Sequence, residues 1–179
     1  MNYDKVIKRA RRSPVHIDTE TTVAVEISQS QIEQMLPHRD PMLLVDSIRA
    51  VDLSQESMRA HRRIDPDDPV LKGHFPGAPV YPGALLVEAM GQASLCLQHL
   101  LTTRKTRVAA DDKPHGVRLL KIHHALFMRE VRPGDDLVLL SKRIEEDSYN
   151  VVCAVQALRD GEVCALSVME VFLVDDEEE

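Results

Sequence analysis

Residues 84–101 form the longest apolar stretch in the chain, and this stretch limits the possible folds more than any other feature of the sequence. It contains no proline, and Pro82 and Gly83 directly before it suit the start of a helix. It is interrupted by Glu88, Gln92, Gln98 and His99, which argue against a membrane span. Because a helix that is apolar on nearly every side must be buried, we predict a long core helix.

Six segments with strand character surround this helix. Two precede it, at residues 42–51 and 55–64, and four follow it, at residues 116–127, 136–145, 149–159 and 162–174. Aromatic residues make up only 3% of the 179 residues, so aliphatic side chains must fill the core. One buried helix with six strands predicts an α+β domain in which a curved antiparallel sheet wraps around the helix.

The two ends of the chain differ from its middle. We assign residues 1–30 to an N-terminal extension, residues 31–174 to the domain and residues 175–179, all acidic, to a tail. Within the extension, residues 23–27 alternate in the manner of a strand. The segment 28–36 is predicted to be a short helix with Ser28 or Ser30 as N-cap, and with Glu33 forming a capping box with Ser30.

The extension also carries a basic cluster, which consists of Lys8, Arg9, Arg11 and Arg12. It is either a solvated arm or a contact for an acidic carrier protein. Lys121, Arg129 and Arg132 are alternative contacts for such a carrier. The chain as a whole has a net charge of −7, which argues against a general nucleic-acid binder.

Several kinds of site and location are disfavoured by the sequence. The three cysteines have no CxxC spacing and lie in apolar segments, so we expect reduced, buried thiols. The N-terminus has no apolar signal region, and a cytoplasmic protein is expected. There is no HExxH, P-loop, GxGxxG or GxSxG motif, and His123 and His124 are adjacent on a strand and cannot grip one metal together. We therefore expect neither a metal nor an organic cofactor.

Glu88 is the most unusual residue of the apolar stretch. A carboxyl group in such surroundings loses solvation and tends to stay protonated, as a general acid requires. Gln92 lies one turn further on the same face of the helix. The residues leave two interpretations equally open: a catalytic acid, or a buried carboxyl that Gln92 satisfies by hydrogen bonding.

His74 lies in the segment LKGHFPGAPVYPG, where glycines and prolines restrict the backbone just before the core helix. A lone loop histidine is more often structural, but a histidine and a carboxyl in different environments can form an acid–base pair. Gly83, at the helix start, has a backbone N–H without a partner inside the helix, and this group can polarise a thioester carbonyl.

These residues belong to motifs that resemble the (3R)-hydroxyacyl-[acyl-carrier-protein] dehydratases of type II fatty acid synthesis. The motifs are LPHRDPMLLVD at 36–46, GHFPGAPVYPG at 73–83, VEAMGQA at 87–93 and VRPGDDL at 131–137. The resemblance runs from about residue 31 to 174. It implies a hotdog fold, a substrate carried on an acyl carrier protein, and a homodimer or trimer of dimers.

The resemblance also implies a role for each site residue. His74 is the base, oriented by the carbonyl of Val80, and Glu88 of the other subunit is the acid. The Gly83 N–H binds the thioester oxygen. The substrate-binding residues that we predict are Gly83, Val80, Phe75 and Gln92. The product is a trans-2-enoyl thioester.

The chain departs from the family pattern at Asp40, where an aromatic residue is usual, and at Leu126 and Met128, where basic residues are common. Its 30-residue extension is also atypical. These departures leave open whether the substrate belongs to fatty acid synthesis or to a polyketide or other specialised pathway. Two further readings are a hotdog thioesterase and a catalytically silent acyl-binding partner subunit.

Overall fold

The computed structural model describes residues 2–114 and 116–174, so His115 and the predicted tail at 175–179 lie outside the described residues. The elements in chain order are α1 (Asp4–Ala10), β1 (Val23–Ser28), α2 (Gln29–Met35), β2 (Ser47–Asp52), β3 (Ser57–Arg63), α3 (Pro69–Gly73), α4 (Gly83–Thr103), β4 (Gly116–Phe127), β5 (Asp136–Glu146), β6 (Asn150–Arg159) and β7 (Glu162–Val174).

The strands form one antiparallel sheet in the order β1-β2-β3-β5-β6-β7-β4. The helix α4 packs on one face of this sheet, mainly against β5, β6 and β7. Every neighbouring pair is antiparallel, which leaves β1 and β4 as the two edges. The α+β fold with a long central helix is therefore confirmed, and it is the hotdog arrangement that the resemblance implies.

The predicted core helix is present and runs from Gly83 to Thr103, slightly longer than residues 84–101. Met90, Leu97 and Leu100 are fully buried along it. It ends where Arg104 adopts a left-handed conformation with φ of 54°. By length and composition α4 could cross a membrane. However, 61% of an 18-residue apolar part of this helix is buried inside the protein, as in the core helix of a soluble protein.

The sheet differs from the prediction at its beginning. The first strand of the extension, β1, pairs with β2, so the sheet has seven strands in the described residues rather than six. The predicted strand at 42–51 begins only at Ser47. The reason is that the Leu44 N–H donates to the side chain of Gln92 on α4, at 2.7 Å, and not to a neighbouring strand.

Two smaller elements also differ from the prediction. In α2 the N-cap is Ser28, and the capping box is completed by Gln31, whose Oε1 accepts the Ser28 N–H at 3.0 Å, rather than by Glu33 and Ser30. The segment 65–82, whose five prolines and two glycines predict an irregular loop, contains the short helix α3, which Asp68 caps through the Val70 N–H. The three cysteines are free and buried, as expected.

The strand β6 is buried along nearly its whole length and not only on alternate residues. One face of the sheet contacts α4, and α1 covers the other, where Ile7 and Ala10 pack against Val152, Leu166 and Val168. This cover explains why β6 reads as a continuous apolar run in the sequence.

Candidate active site

His74 ends α3 and is oriented by a pair of hydrogen bonds with Val80. Its Nδ1 lies 2.9 Å from the Val80 carbonyl oxygen, and the Val80 N–H donates to the His74 carbonyl, also at 2.9 Å. Because a carbonyl can only accept, Nδ1 must carry the proton in this bond. In the neutral ring the lone pair is then on Nε2, and His74 presents a base through that atom. The hydrogen bond that we expected between His74 and Val80 is present.

The cleft beside His74 has a volume of about 370 Å³ and includes Gly83, Leu86, Phe127 and Met128 in its wall. A side chain at Gly83 would require the Phe127 ring to move, because a Cβ there would lie 2.9 Å from Cε1 of Phe127. As the first residue of α4, Gly83 directs its N–H out of the helix, at the positive end of the helix dipole. The cleft therefore combines a base with a backbone donor suited to an oxyanion.

Phe75 is another of the residues predicted to bind the substrate, and it is 56% exposed. Its ring stacks on the imidazole of His74, with ring centroids 4.1 Å apart. The exposed apolar ring next to His74 is a surface that an acyl chain or a second protein could bury.

Glu88 lies in a hydrogen-bonded group that ties α4 to the loop before β2. Gln92, 1% exposed, donates to Glu88 Oε1 at 2.8 Å and to the Met42 carbonyl at 2.7 Å, while its own oxygen accepts the Leu44 N–H. His38 Nε2 lies 3.4 Å from the same Glu88 oxygen. Both neighbours thus contact Oε1, whereas Oε2 has no hydrogen-bond partner among the residues that the structure describes.

The Glu88 side chain is less buried than the apolar sequence around it suggests. It is 35% exposed in the single chain. It opens into a second cleft, of about 170 Å³, that Gly91, Leu119, Met169 and other residues line. The apolar residues of α4 face the sheet, whereas Glu88 is directed towards this opening.

The two predicted catalytic residues do not share a cleft within one chain. None of the residues that the structure describes lines both the His74 cleft and the Glu88 cleft. Helical geometry gives the reason, because Gly83 and Glu88 are five residues apart and so point about 140° away from each other around α4. The structure groups His74, Val80 and Gly83 in one place and Glu88 with Gln92 in another.

His38 is the site residue that sequence reasoning missed. The sequence offered it no partner, although it lies in the LPHRDP motif. In the structure its Nε2 approaches Glu88, and its buried Nδ1 has no hydrogen-bond partner among residues 2–114 and 116–174. Only the long-range contact between the loop before β2 and α4 reveals it.

The paired histidines of β4 belong to a different environment. His123 Nε2 lies 2.7 Å from Glu170 Oε2, and its ring contacts Tyr3 edge-on, with centroids 4.8 Å apart. His124 instead bonds to the carbonyl of His123. In the part of the chain that the structure describes, no group of three or more His, Cys, Asp or Glu residues could hold a metal ion.

Comparison with known proteins identifies relatives over most of the chain. A family model described as a FabA-like domain matches residues 36–167. A "3-hydroxyacyl-[acyl-carrier-protein] dehydratase FabZ" of Nitratiruptor sp. is 37% identical over 146 residues, 81% of this chain and 96% of the relative. One from Polynucleobacter necessarius is 38% identical over 147 residues, 81% of this chain and 90% of the relative.

Solved structures with the same fold are more distant in sequence. The dehydratase heterocomplex ApeI:P from Xenorhabdus doucetiae matches with a TM-score of 0.62 at 16% identity, over 82% of this chain and 93% of that one. An uncharacterized protein, PH1136 from Pyrococcus horikoshii, matches with a TM-score of 0.58 at 16% identity, over 86% and 96%. At this identity the likeness is one of fold alone.

Proposed function

We propose a function for this chain from the premise that it belongs to the FabA-like family, together with the FabZ dehydratases. It removes water from (3R)-3-hydroxyacyl groups carried on an acyl carrier protein. The product is the trans-2-enoyl thioester. The observation that carries the proposal is the His74 cleft, in which an oriented imidazole lies beside the N–H at the start of α4.

The reaction divides into three tasks that match the groups available. The Gly83 N–H binds the thioester oxygen and stabilises the enolate that develops when the C2 proton leaves. His74 Nε2 takes that proton, and Glu88 gives a proton to the departing 3-hydroxyl, which leaves as water. The C2–H bonding electrons form the new double bond, so the elimination needs no metal or organic cofactor.

The acid and the base are proposed to come from two copies of the chain. The edge strand β4 exposes large apolar side chains, and Leu120 and Ile122 are 54% and 44% exposed. An exposed apolar edge strand favours pairing with another strand. Leu119 lies at the Glu88 cleft and Phe127 at the His74 cleft, so antiparallel pairing of two β4 strands centred near His123 brings one cleft against the other. The assembly is a homodimer or a trimer of dimers, working in the cytoplasm.

The direct test is the reverse reaction. Wild-type protein is mixed with a trans-2-enoyl thioester of a carrier protein, and hydration is followed as loss of absorbance of the conjugated enoyl group. We expect hydration without release of free thiol. Thiol release without hydration would instead indicate a thioesterase, and acyl binding without either reaction would indicate a catalytically silent partner subunit.

A further inference from the structure

The N-terminal segment is held on the outer face of the sheet at defined points. Ile7 and Ala10 of α1 are only 7% and 3% exposed. The side-chain amide of Gln156, which is itself fully buried, donates to the carbonyls of Ala10 and Ser13, and its oxygen accepts the Val15 N–H at 2.7 Å. A buried amide with three bonds to the backbone fixes the position at which the chain leaves α1.

This fixed segment concentrates positive charge in an acidic protein. Residues 4–12 hold five of the 22 lysines and arginines but only one of the 29 acidic residues, so they carry +4 while the remainder of the chain carries −11. All five cations are exposed. None of them forms an ion pair with any residue that the structure describes. By contrast, Arg129 and Arg132 are paired at 3.0 Å with Glu162 and Glu130.

The C-terminal end of α1, which carries the basic cluster, is bound to the part of the sheet that leads to the end of β4 and the His74 cleft. Gln156, which binds the end of α1, is aligned in the sheet with Leu166, and Leu166 with Leu126 near the end of β4. Met128, just beyond β4, packs against the apolar cluster that α1 forms with the sheet, and it also lines the His74 cleft. One side chain therefore connects the underside of the basic segment to the wall of the cleft.

Helix stabilisation does not account for the whole cluster. Lys8 and Arg9 lie in the last turn of α1, where cations interact favourably with the helix dipole. Arg11 is the C-cap, and Arg12 lies beyond it. Arg11 and Arg12 follow the helix, their backbone is fixed by hydrogen bonds to Ile7 and Arg9, and their side chains are exposed, so both are available to a negative partner.

We infer that the basic cluster, Lys8, Arg9, Arg11 and Arg12, is a docking surface for the acidic acyl carrier protein that delivers the substrate. The inference rests on the proposed function and specifies how its partner binds. Acyl carrier proteins are acidic, and complementary charge next to an active site speeds productive encounter. The acyl group attached to such a carrier would then be beside the His74 cleft.

The test compares two variants that lose the same charge. One carries Lys8→Gln, Arg11→Gln and Arg12→Gln, and the matched control carries Arg104→Gln, Lys105→Gln and Arg107→Gln, beyond the other end of α4. Each is assayed with an enoyl group on the carrier protein and with the same group on pantetheine. We expect the KM for the carrier substrate to rise roughly 10- to 100-fold in the first variant only, with the pantetheine substrate unaffected. Added salt should raise the wild-type KM for the carrier substrate alone.

Equal effects on both substrates, or equal effects of the two triple variants, would overturn the inference. So would a first variant that uses the carrier normally but no longer binds phosphatidylglycerol vesicles, because the cluster would then serve a membrane surface. If wild-type protein turns over neither substrate, the proposed function is rejected. Fluorescence anisotropy of a labelled acylated carrier then tests the surface alone, with weaker binding to the first variant than to wild type and control expected.

Discussion

At the scale of single residues, His74 and Glu88, for which we propose opposite roles, are contacted by different kinds of atom. The Val80 carbonyl leaves the Nε2 lone pair of His74 available, whereas both neighbours of Glu88 bind its Oε1. The available lone pair on Nε2 supports the proposed role of His74 as base.

Removing either group should abolish most of the chemistry without unfolding the protein. We expect His74→Ala and Glu88→Gln each to lower enoyl hydration roughly 10²- to 10⁴-fold, the usual contribution of an acid–base group. Circular dichroism should match wild type, because His74 lies at a loop and glutamine is nearly isosteric with Glu88. His61→Ala, which changes a histidine that lines neither cleft, serves as the control. Near-normal turnover in both active-site variants would refute the assignment.

His38 should act as a positioning residue for Glu88. We expect His38→Leu to lower kcat roughly tenfold while KM changes little, because the substrate still binds but the acid is no longer held. His38→Gln, which keeps a donor within reach of Oε1, should recover part of the loss. If the leucine and glutamine variants are equally impaired, or if only KM changes, His38 does not position the acid.

At the scale of secondary-structure elements, the extension is fastened to the sheet at Asp52 as well as at Gln156. The hydroxyls of Thr19, Thr21 and Thr22 donate to Asp52 Oδ2 at 2.7, 2.8 and 3.0 Å, and the Gln55 N–H donates to Oδ1. Burial on its own would raise the pKa of Asp52, but these four bonds favour the charged form and hold its pKa well below the usual range.

This attachment should depend on pH in a defined direction. A carboxyl whose pKa is lowered by folding stabilises the protein above its unfolded pKa of about 4, and the contribution is lost as the pH falls through the folded value. We therefore expect Asp52→Asn to lower the melting temperature at pH 7, with a difference from wild type that shrinks below pH 4. Thermal denaturation from pH 7 to pH 2 measures this, with the exposed Asp67→Asn as control. A difference that is constant over this range would contradict the expectation.

At the scale of the whole molecule, the active site is proposed to be complete only when two β4 edges meet. We expect light scattering to give a mass of at least two 20.2 kDa chains. Leu120→Lys should yield a folded monomer with little activity, because the side chain is 54% exposed in one chain and a charge there disfavours edge pairing. Arg49→Gln, a charge change on the distant strand β2, should leave the assembly intact.

Mixing inactive variants tests the two-copy site directly. When His74→Ala and Glu88→Gln proteins are unfolded together and refolded, mixed dimers should contain one site with both native groups and one with neither. Part of the activity should return, and it should be absent when each variant is refolded alone. Mixtures as inactive as their components would mean that both groups act within one chain.

The sequence by itself determined the elements whose signal is local. The helix α4 and the four strands after it were predicted within a few residues, because apolar periodicity and the turns at Pro133–Gly134 and Asp160–Gly161 are properties of neighbouring residues. The motif around His74 was recognisable for the same reason. Its glycines and prolines are close together in the sequence, and the Val80 carbonyl that orients the His74 ring is only six residues away.

Only the tertiary structure decided which distant residues meet. The side chain of Gln92 accepts a hydrogen bond from the Leu44 N–H, 48 positions away, so β2 begins only after this residue. The same contact between loop and helix brings His38 next to Glu88. The helix α1 is held on the sheet by Gln156, which donates to the Ala10 carbonyl 146 positions away. No local pattern encodes such contacts, because they arise only when the sheet closes on the helix and buries groups that then require partners.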